Sequence, residues 1–335
     1  MNLPPEPRSN PELIGHDAAA LMLRDAALSG RLHHGWMIAG PGGVGKVTLA
    51  YRYARWMLAG MPSGPSPLVL EADHPAFRRV AAGTHADLRT LAPNTGEKGK
   101  KLLIRVDDVR ELPRFLAMTP AEGGWRVVVV EQAEAMNEQA QNMLLKTLEE
   151  PPPRAVLVLT SDAPDRLLPT IRSRVRRLDL FPLEESDLAR LLGRWLPDMA
   201  EADRAVLAAL SAGSPGRALS LAEGDGLEMS REVQGFLARL PRPDPRDLHA
   251  LADRLVSRRD GSAFVTFMTL LRDAMAGAVR RAGRGEGAPT WMAGRGLADW
   301  AGLWDMLGRL ADETEALNLD RKQAVLTGLS RLSAP

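Results

Sequence analysis

The sequence contains no cysteine, and only two of its 335 residues are tyrosine. Without cysteine there can be no disulfide, no thiolate nucleophile and no cysteine-ligated zinc. A strong charge of either sign is also missing, because 43 lysines and arginines offset 42 acidic residues. The resulting net charge of +1 excludes a polycation, but it is compatible with a local basic face for nucleic acid.

Long hydrophobic runs are scarce as well. Residues 1–7 contain no apolar signal core, and we find no run long enough to cross a bilayer. We therefore expect a cytoplasmic protein without a membrane partner. The composition, 45% hydrophobic and 25% charged, is typical of soluble globular proteins, and the length suggests two or three domains.

A glycine-rich loop is the most informative feature that is present. A phosphate-binding P-loop reads Gly-x-x-x-x-Gly-Lys followed by Ser or Thr, whose hydroxyl ligates Mg²⁺. Here Val47 stands at the hydroxyl position, and a hard cation needs oxygen ligands. Thr48 is a poor replacement, since one residue along a helix turns the side chain by about 100°. The candidate nucleotide-binding residues of the loop are Gly40, Pro41, Gly42, Gly43, Val44, Gly45, Lys46, Val47 and Thr48.

The apolar pattern around the loop predicts an α/β domain. A short apolar run at 36–39 precedes the loop, a helical pattern at 48–58 follows it, and a further helical pattern spans 106–117. Residues 1–11 are rich in proline and predict a loose lead-in. Further β-branched runs at 127–130 and 155–159 are typical of strands buried on both faces of a parallel sheet. After Pro182 the pattern becomes helical. We expect three domains, at residues 1–181, 182–226 and 227–335.

The residues after the 127–130 strand bear on hydrolysis. A P-loop ATPase places an acidic Mg²⁺ ligand there and, in many families, a glutamate that activates water. Glu131 fits the first position, but Gln132 occupies the second, and an amide cannot accept a proton as a carboxylate does. Together with Val47, Gln132 predicts a site that does not hydrolyse ATP. The alternative is that Gln132 is a surface residue and the base lies elsewhere.

Several motifs resemble one family closely. The segments are Gly40–Thr48, Ala82-Gly83-Thr84-His85-Ala86-Asp87, Ile104–Arg110, Asn142–Pro152 (with Leu-Leu-Lys-Thr-Leu-Glu-Glu-Pro-Pro) and Thr170–Val175. Through them the chain resembles the bacterial clamp-loader subunits of the AAA+ ATPase superfamily over about residues 10–225, whereas the C-terminal helices match only in length and pattern. The resemblance implies an AAA+ P-loop domain with a parallel sheet, a small helical lid and an all-α C-terminal collar domain that oligomerises.

The resemblance also implies roles for three residues. Arg174, in Ser-Arg-Val where relatives have Ser-Arg-Cys, matches an arginine finger that acts in trans on a neighbouring subunit's ATP. Its alternative is one charge of a solvated basic run, which also includes Arg172, Arg176 and Arg177. Thr160 matches a polar sensor of the γ-phosphate, or simply caps a strand. Arg217 matches the sensor arginine of the lid, or is a helix-surface residue.

Cofactors and partners follow from the same resemblance. The loss of the Mg²⁺ hydroxyl and of the base favours a non-hydrolysing subunit over a motor subunit, although ATP or ADP could still be bound. We expect no metal and no zinc, because residues 59–81 lack the four cysteines that many relatives carry there. The implied partners are motor ATPase subunits and a delta-type subunit, with the sliding clamp and primed DNA reached through the complex.

Two other functions stay open from the sequence. An active AAA+ motor, in a clamp loader or a DNA-translocating relative, would need Glu131 or Glu134 as the base. A P-loop nucleotide kinase is disfavoured by the helical domains and by Arg174. A charged loop with Lys98, Lys100 and Lys101 could touch a DNA phosphate or simply be solvated.

Overall fold

The computed structural model describes residues 3–30, 32–64, 66–93, 103–257 and 261–333. The three lysines considered for DNA contact, Lys98, Lys100 and Lys101, lie outside these residues. The chain forms two compact units, Met1–Ala218 and Leu219–Pro335, with the boundary inside one helix. The division into three functional domains stays a prediction.

The first unit is built on five parallel strands: β1 (Gly35–Ala39), β2 (Leu88–Leu91), β3 (Arg126–Val130), β4 (Ala155–Ser161) and β5 (Arg176–Asp179). They pair in the order β2-β3-β4-β1-β5. Strands β1, β3 and β4 are buried along their whole length, as their unbroken apolar runs predict. Apolar cores lie on both faces of the sheet. The predicted α/β domain with a parallel sheet is therefore confirmed.

Helices cover this sheet and continue beyond it. Ten of the 13 residues in the helix after the glycine loop are buried, so that helix lies inside the unit rather than on its surface. The helices of the unit are α1 (Asp17–Leu28), α2 (Lys46–Leu58), α3 (Pro75–Ala81), α4 (Val106–Arg110), α5 (Leu112–Ala117), α6 (Glu138–Glu149), α7 (Pro169–Arg172), α8 (Glu185–Trp195), α9 (Glu201–Ser211) and α10 (Pro215–Glu223), which crosses the boundary.

The single helix expected over residues 106–117 is instead two short helices, α4 and α5. Pro113 lies in the first turn of α5. Proline has no backbone N–H and its ring clashes with the preceding turn, so an unbroken helix through this point is disfavoured. Val109 and Leu112 are nevertheless both buried, as their spacing predicts.

The segment before α1 is held firmly, although a loose lead-in was expected over residues 1–11. The Arg55 guanidinium donates to the carbonyls of Arg8 at 2.8 Å and Asn10 at 2.7 Å. Arg52, one turn earlier on α2, donates to the Pro11 carbonyl at 2.6 Å. Burial and the nearby Arg52 charge lower the pKa of Arg55 to about 10, so it stays charged at neutral pH. For residues 8–11 the expectation was wrong.

The second unit is helical, with α11 (Gly226–Ala238), α12 (Pro245–Val256), α13 (Ser262–Gly283), α14 (Leu297–Ala316) and α15 (Arg321–Ser333). Helix α13 packs against α11, α12 and α14, and α15 packs against α12 and α14. By length and composition alone, α13 could cross a membrane, so the expectation that no run is long enough was too strict. Eight of its 22 residues are buried.

Candidate functional site: a degenerate P-loop

The glycine loop connects β1 to α2, in the strand–loop–helix context that a P-loop requires. Gly45 caps the N-terminus of α2 with φ of 113°, and Gly40 follows β1 with φ of 149°. Residues with a side chain rarely adopt such angles, so these two glycines are needed for the turn itself. The predicted loop is therefore present as a backbone structure.

The ammonium group of the loop lysine already contacts three oxygen acceptors. Lys46 is only 4% exposed, and its Nζ donates to the carbonyls of Gly40 at 2.8 Å and Pro41 at 2.5 Å. It also forms an ion pair with Asp162, at 2.6 Å from Nζ to Oδ1. An ammonium has three protons, so these contacts use all of its donors.

Asp162 is the residue at this site that the sequence did not indicate. It directly follows β4, and β4 pairs with β1 so that Ser161 lies opposite Ala39. This register brings Asp162 to the glycine loop, where a Cβ added at Gly42 would lie 2.9 Å from its Oδ2. The available signal was its place two residues after Thr160, since the carboxyl ends of neighbouring parallel strands meet at one edge of the sheet.

The start of α10 closes against the same loop. Gly216 N donates to the Gly43 carbonyl at 2.9 Å, and Ser214 Oγ donates to the Gly42 carbonyl at 2.7 Å. A Cβ on Gly216 would meet Gly43 Cα at 2.8 Å, which no real side chain could occupy without a shift. A Cβ on Gly43 would lie 2.9 Å from Arg217 N, so the backbone of the predicted sensor arginine is at the loop. The role of its side chain stays a prediction.

A magnesium ion does not fit the residues present. Val47 is partly buried against the apolar core and offers no oxygen. Glu131 is engaged elsewhere, because Tyr51, one turn beyond Val47 on α2, donates its hydroxyl to Glu131 Oε1 at 2.6 Å. Burial, this hydrogen bond and the Glu131 charge raise the pKa of Tyr51 to about 12, so it remains a donor. Arg8 donates to the same hydroxyl at 3.3 Å.

The other predicted residues of this edge lie together. Gln132 has φ of 48°, and its N–H donates to Thr160 Oγ1 at 3.1 Å. Thr160 is buried, and its hydroxyl therefore orients the turn after β3. Glu134 accepts from Asp162 N at 2.9 Å through Oε1, whereas its buried Oε2 has no hydrogen-bond partner in the described part of the chain. Within the described residues no three His, Cys, Asp or Glu side chains form a metal-binding group.

Arg174 lies at the amino-terminal end of β1, whereas the glycine loop follows the carboxyl-terminal end of the same strand. Its carbonyl oxygen would be 3.4 Å from a Cβ on Gly35, the first residue of β1, whereas the loop follows the last residue. The four steps along β1 from Gly35 to Ala39 separate the two ends of the strand by about 13 Å. The Arg174 guanidinium pairs with Glu149 at 3.0 Å and donates to the Thr170 carbonyl at 3.1 Å.

Each of the other three arginines of the basic run is exposed and contacts another side chain. Arg172 pairs with Asp165 at 2.9 Å and Arg177 with Asp179 at 2.8 Å. The Arg176 guanidinium stacks over Trp36, 5.1 Å from its ring centre.

Comparison with known proteins decides the family. Residues 15–184 match the family model described as DNA polymerase III, delta subunit. The chain belongs to the DNA polymerase III delta′ family. The delta′ subunit of Pseudomonas aeruginosa is 42% identical over 207 residues, covering 61% of this chain and 60% of that protein. The Escherichia coli K12 delta′ subunit is 37% identical over 258 residues, covering 71% and 74%.

More distant similarities extend beyond the delta′ family. The tau subunit of Escherichia coli is 28% identical over 245 residues, covering 70% of this chain and 36% of that protein. A solved gamma subunit-related protein of Thermotoga maritima has a TM-score of 0.45 at 20% identity, covering 94% of this chain and 98% of that chain. The resemblance read from the motifs is confirmed at the level of the delta′ family, and the residue roles stay predictions.

Proposed function

We propose that this delta′-family chain is a non-hydrolysing clamp-loader subunit that supplies Arg174 to the ATP site of a neighbouring motor subunit. The proposal rests on the position of Arg174. This arginine lies at the amino-terminal end of β1, while the chain's own glycine loop lies at the carboxyl-terminal end. An arginine placed there cannot reach phosphate in its own cradle, but it can complete a site on another subunit.

The state of the chain's own site supports the same role. Val47 provides no metal ligand, Gln132 provides no base, and Glu131 is hydrogen-bonded to Tyr51. Three independent parts of a hydrolytic site would have to be repaired before this chain could turn over ATP. Its contribution to replication is then structural and catalytic in trans.

The partners proposed are the motor ATPase subunits and a delta-type subunit. The sliding clamp and primed DNA are reached through the complex, in the cytoplasm. The predicted collar role falls to the helical second unit, and the lid role to the helices α8–α10 that follow the sheet. The relatives' names, which include tau and delta′ subunits of DNA polymerase III, support membership of such an assembly.

ATP hydrolysis by the reconstituted clamp loader, stimulated by DNA and clamp, tests the proposal. Arg174→Ala in this chain should lower the rate by about 10³-fold or more at the site it serves, as removal of an arginine finger does. Arg177→Ala is the matched control, because it removes an equally partnered arginine from the same run. Equal rates for the two variants, with assembly intact by gel filtration, would contradict the role in trans.

The rival function, an active motor, is tested on the purified chain. Glu134 is the residue that could favour it, since it has a buried, unpartnered carboxylate oxygen beside Asp162 in the described structure. ATP turnover that is abolished by Lys46→Ala would support this function. We expect no turnover, because Glu134 already holds the Asp162 backbone and no Mg²⁺ ligand replaces Val47.

A further inference from the structure

The phosphate cradle of this chain already contains an anion, which is the chain's own Asp162. In a P-loop the lysine reaches the outer phosphate oxygens of the nucleotide. Here the buried Lys46 ammonium instead contacts Asp162 Oδ1 at 2.6 Å and two loop carbonyls. A carboxylate offers the same charge-assisted acceptor as a phosphate oxygen, so it can replace one as the lysine's partner.

The position of Asp162 is built into the sheet. Strand β4 pairs with β1 through five residues, ending at Ser161 opposite Ala39, and Gly40 N donates to the Ser161 carbonyl at 3.3 Å. Glu134 then accepts from the Asp162 N–H at 2.9 Å. Asp162 is 44% exposed, so its carboxylate lies at the mouth of the cradle, between Lys46 and solvent.

The residues at the start of α10 also cover the glycine loop. Ser214 and Gly216 use their donors on the carbonyls of Gly42 and Gly43, at 2.7 Å and 2.9 Å. The Gly43 and Gly216 backbones are so close that even a methyl group would not fit between them. Two independent elements, β4 and α10, therefore cover the loop.

We propose that Asp162 is an internal substitute for a nucleotide phosphate, and that the pair of Asp162 with Lys46, together with α10, keeps the cradle closed to nucleoside di- and triphosphates. The chain then holds its P-loop in the folded shape that a ring subunit needs, without a bound nucleotide. The proposal does not depend on Arg174, so either can fail alone.

The test is equilibrium binding of ADP and ATP to the full chain by calorimetry, with and without Mg²⁺. Asp162→Asn keeps the size of the side chain and removes its charge. If the pair of Asp162 with Lys46 leaves less than a tenth of the molecules able to bind nucleotide, Asp162→Asn should lower the Kd for ADP and ATP at least about tenfold. Asp165→Asn is the matched control, since it removes a carboxylate of the same loop that pairs with Arg172 and, in the described part of the chain, is not paired with Lys46. It should bind like the unmodified chain.

Two further variants make the result decisive. Adding Lys46→Ala to Asp162→Asn should abolish the gained affinity, because the freed lysine is its source. Gly216→Ala should raise affinity without changing any charge, since its Cβ would push α10 away from Gly43. If Asp162→Asn does not fold, Gly216→Ala decides alone. Affinity equal to that of the unmodified chain in the folded variants would overturn the proposal, as would gained binding that survives Lys46→Ala.

Discussion

Arg55 should be the strongest single anchor of the segment that precedes α1. It is 2% exposed, donates to two carbonyls of that segment, and lies 4.3 Å from the ring centre of Phe77. Replacement by methionine keeps most of the volume and removes the donors and the charge. The segment from Arg8 to Asn10 then has no partner at this position.

The expected loss follows from these contacts. Hydrogen bonds from a charged donor contribute about 1.5–3 kcal/mol each, so the two together contribute about 3–6 kcal/mol. The contact with Phe77 adds about 1–2 kcal/mol. Desolvation of the buried guanidinium, which methionine avoids, costs several kcal/mol and offsets part of this. We expect Arg55→Met to lower the free energy of unfolding by about 2–4 kcal/mol.

Urea unfolding followed by circular dichroism measures this change. Arg24→Met is the control, since Arg24 lies on α1, is partly exposed and pairs with its neighbour Asp25. Its effect should stay within about 0.5 kcal/mol. Limited proteolysis should also cleave Arg55→Met, but not the control, within residues 8–11. A loss below about 1 kcal/mol with an uncleaved segment would refute the anchoring argument.

Two further predictions concern ATP hydrolysis at the glycine loop and the pH dependence of the free energy of unfolding. Val47→Thr alone should not produce Mg²⁺-dependent ATP hydrolysis, because Gln132 and the Tyr51-bound Glu131 remain; measurable phosphate release by the purified variant would contradict this. Burial chiefly lowers the pKa of His85, and Arg79 lowers it further while Glu122 and Asp87 oppose this. The unfolded chain therefore takes up the proton first, and the free energy of unfolding should fall as pH drops below about 6.5. His85→Gln should flatten that slope in urea titrations between pH 5 and about 8; an unchanged slope would count against it.

The strands and the loop could be predicted because their signals are local. Val127–Val130 and Ala155–Leu159 are apolar without interruption, and a glycine motif after such a run has few alternatives. The defects at Val47 and Gln132 could be predicted for the same reason, since each is a substitution at a fixed place in a motif. The structure places Val47 in the first turn of α2 and the exposed Gln132 just after β3, and their effect on hydrolysis stays a prediction.

The contacts of the site could not be predicted in this way, because they join distant residues. Nothing near Glu131 indicates that Tyr51, 80 positions earlier, donates to it. Asp162 meets Lys46 only through the β1–β4 register, and Ser214 meets Gly42 across 172 positions. Pro113 was a local signal for the break between α4 and α5, but the apolar spacing favoured one helix.

The attachment of Asp162 to β4 determines how the cradle can open. The backbone of Asp162 directly follows a fully buried central strand, and such strands are among the last parts of a domain to exchange their amide hydrogens. The start of α10 contacts the loop through hydrogen bonds from Ser214, just before the helix, and from Gly216 to the loop carbonyls. We therefore expect the site to open on the α10 side, with β4 as its fixed part.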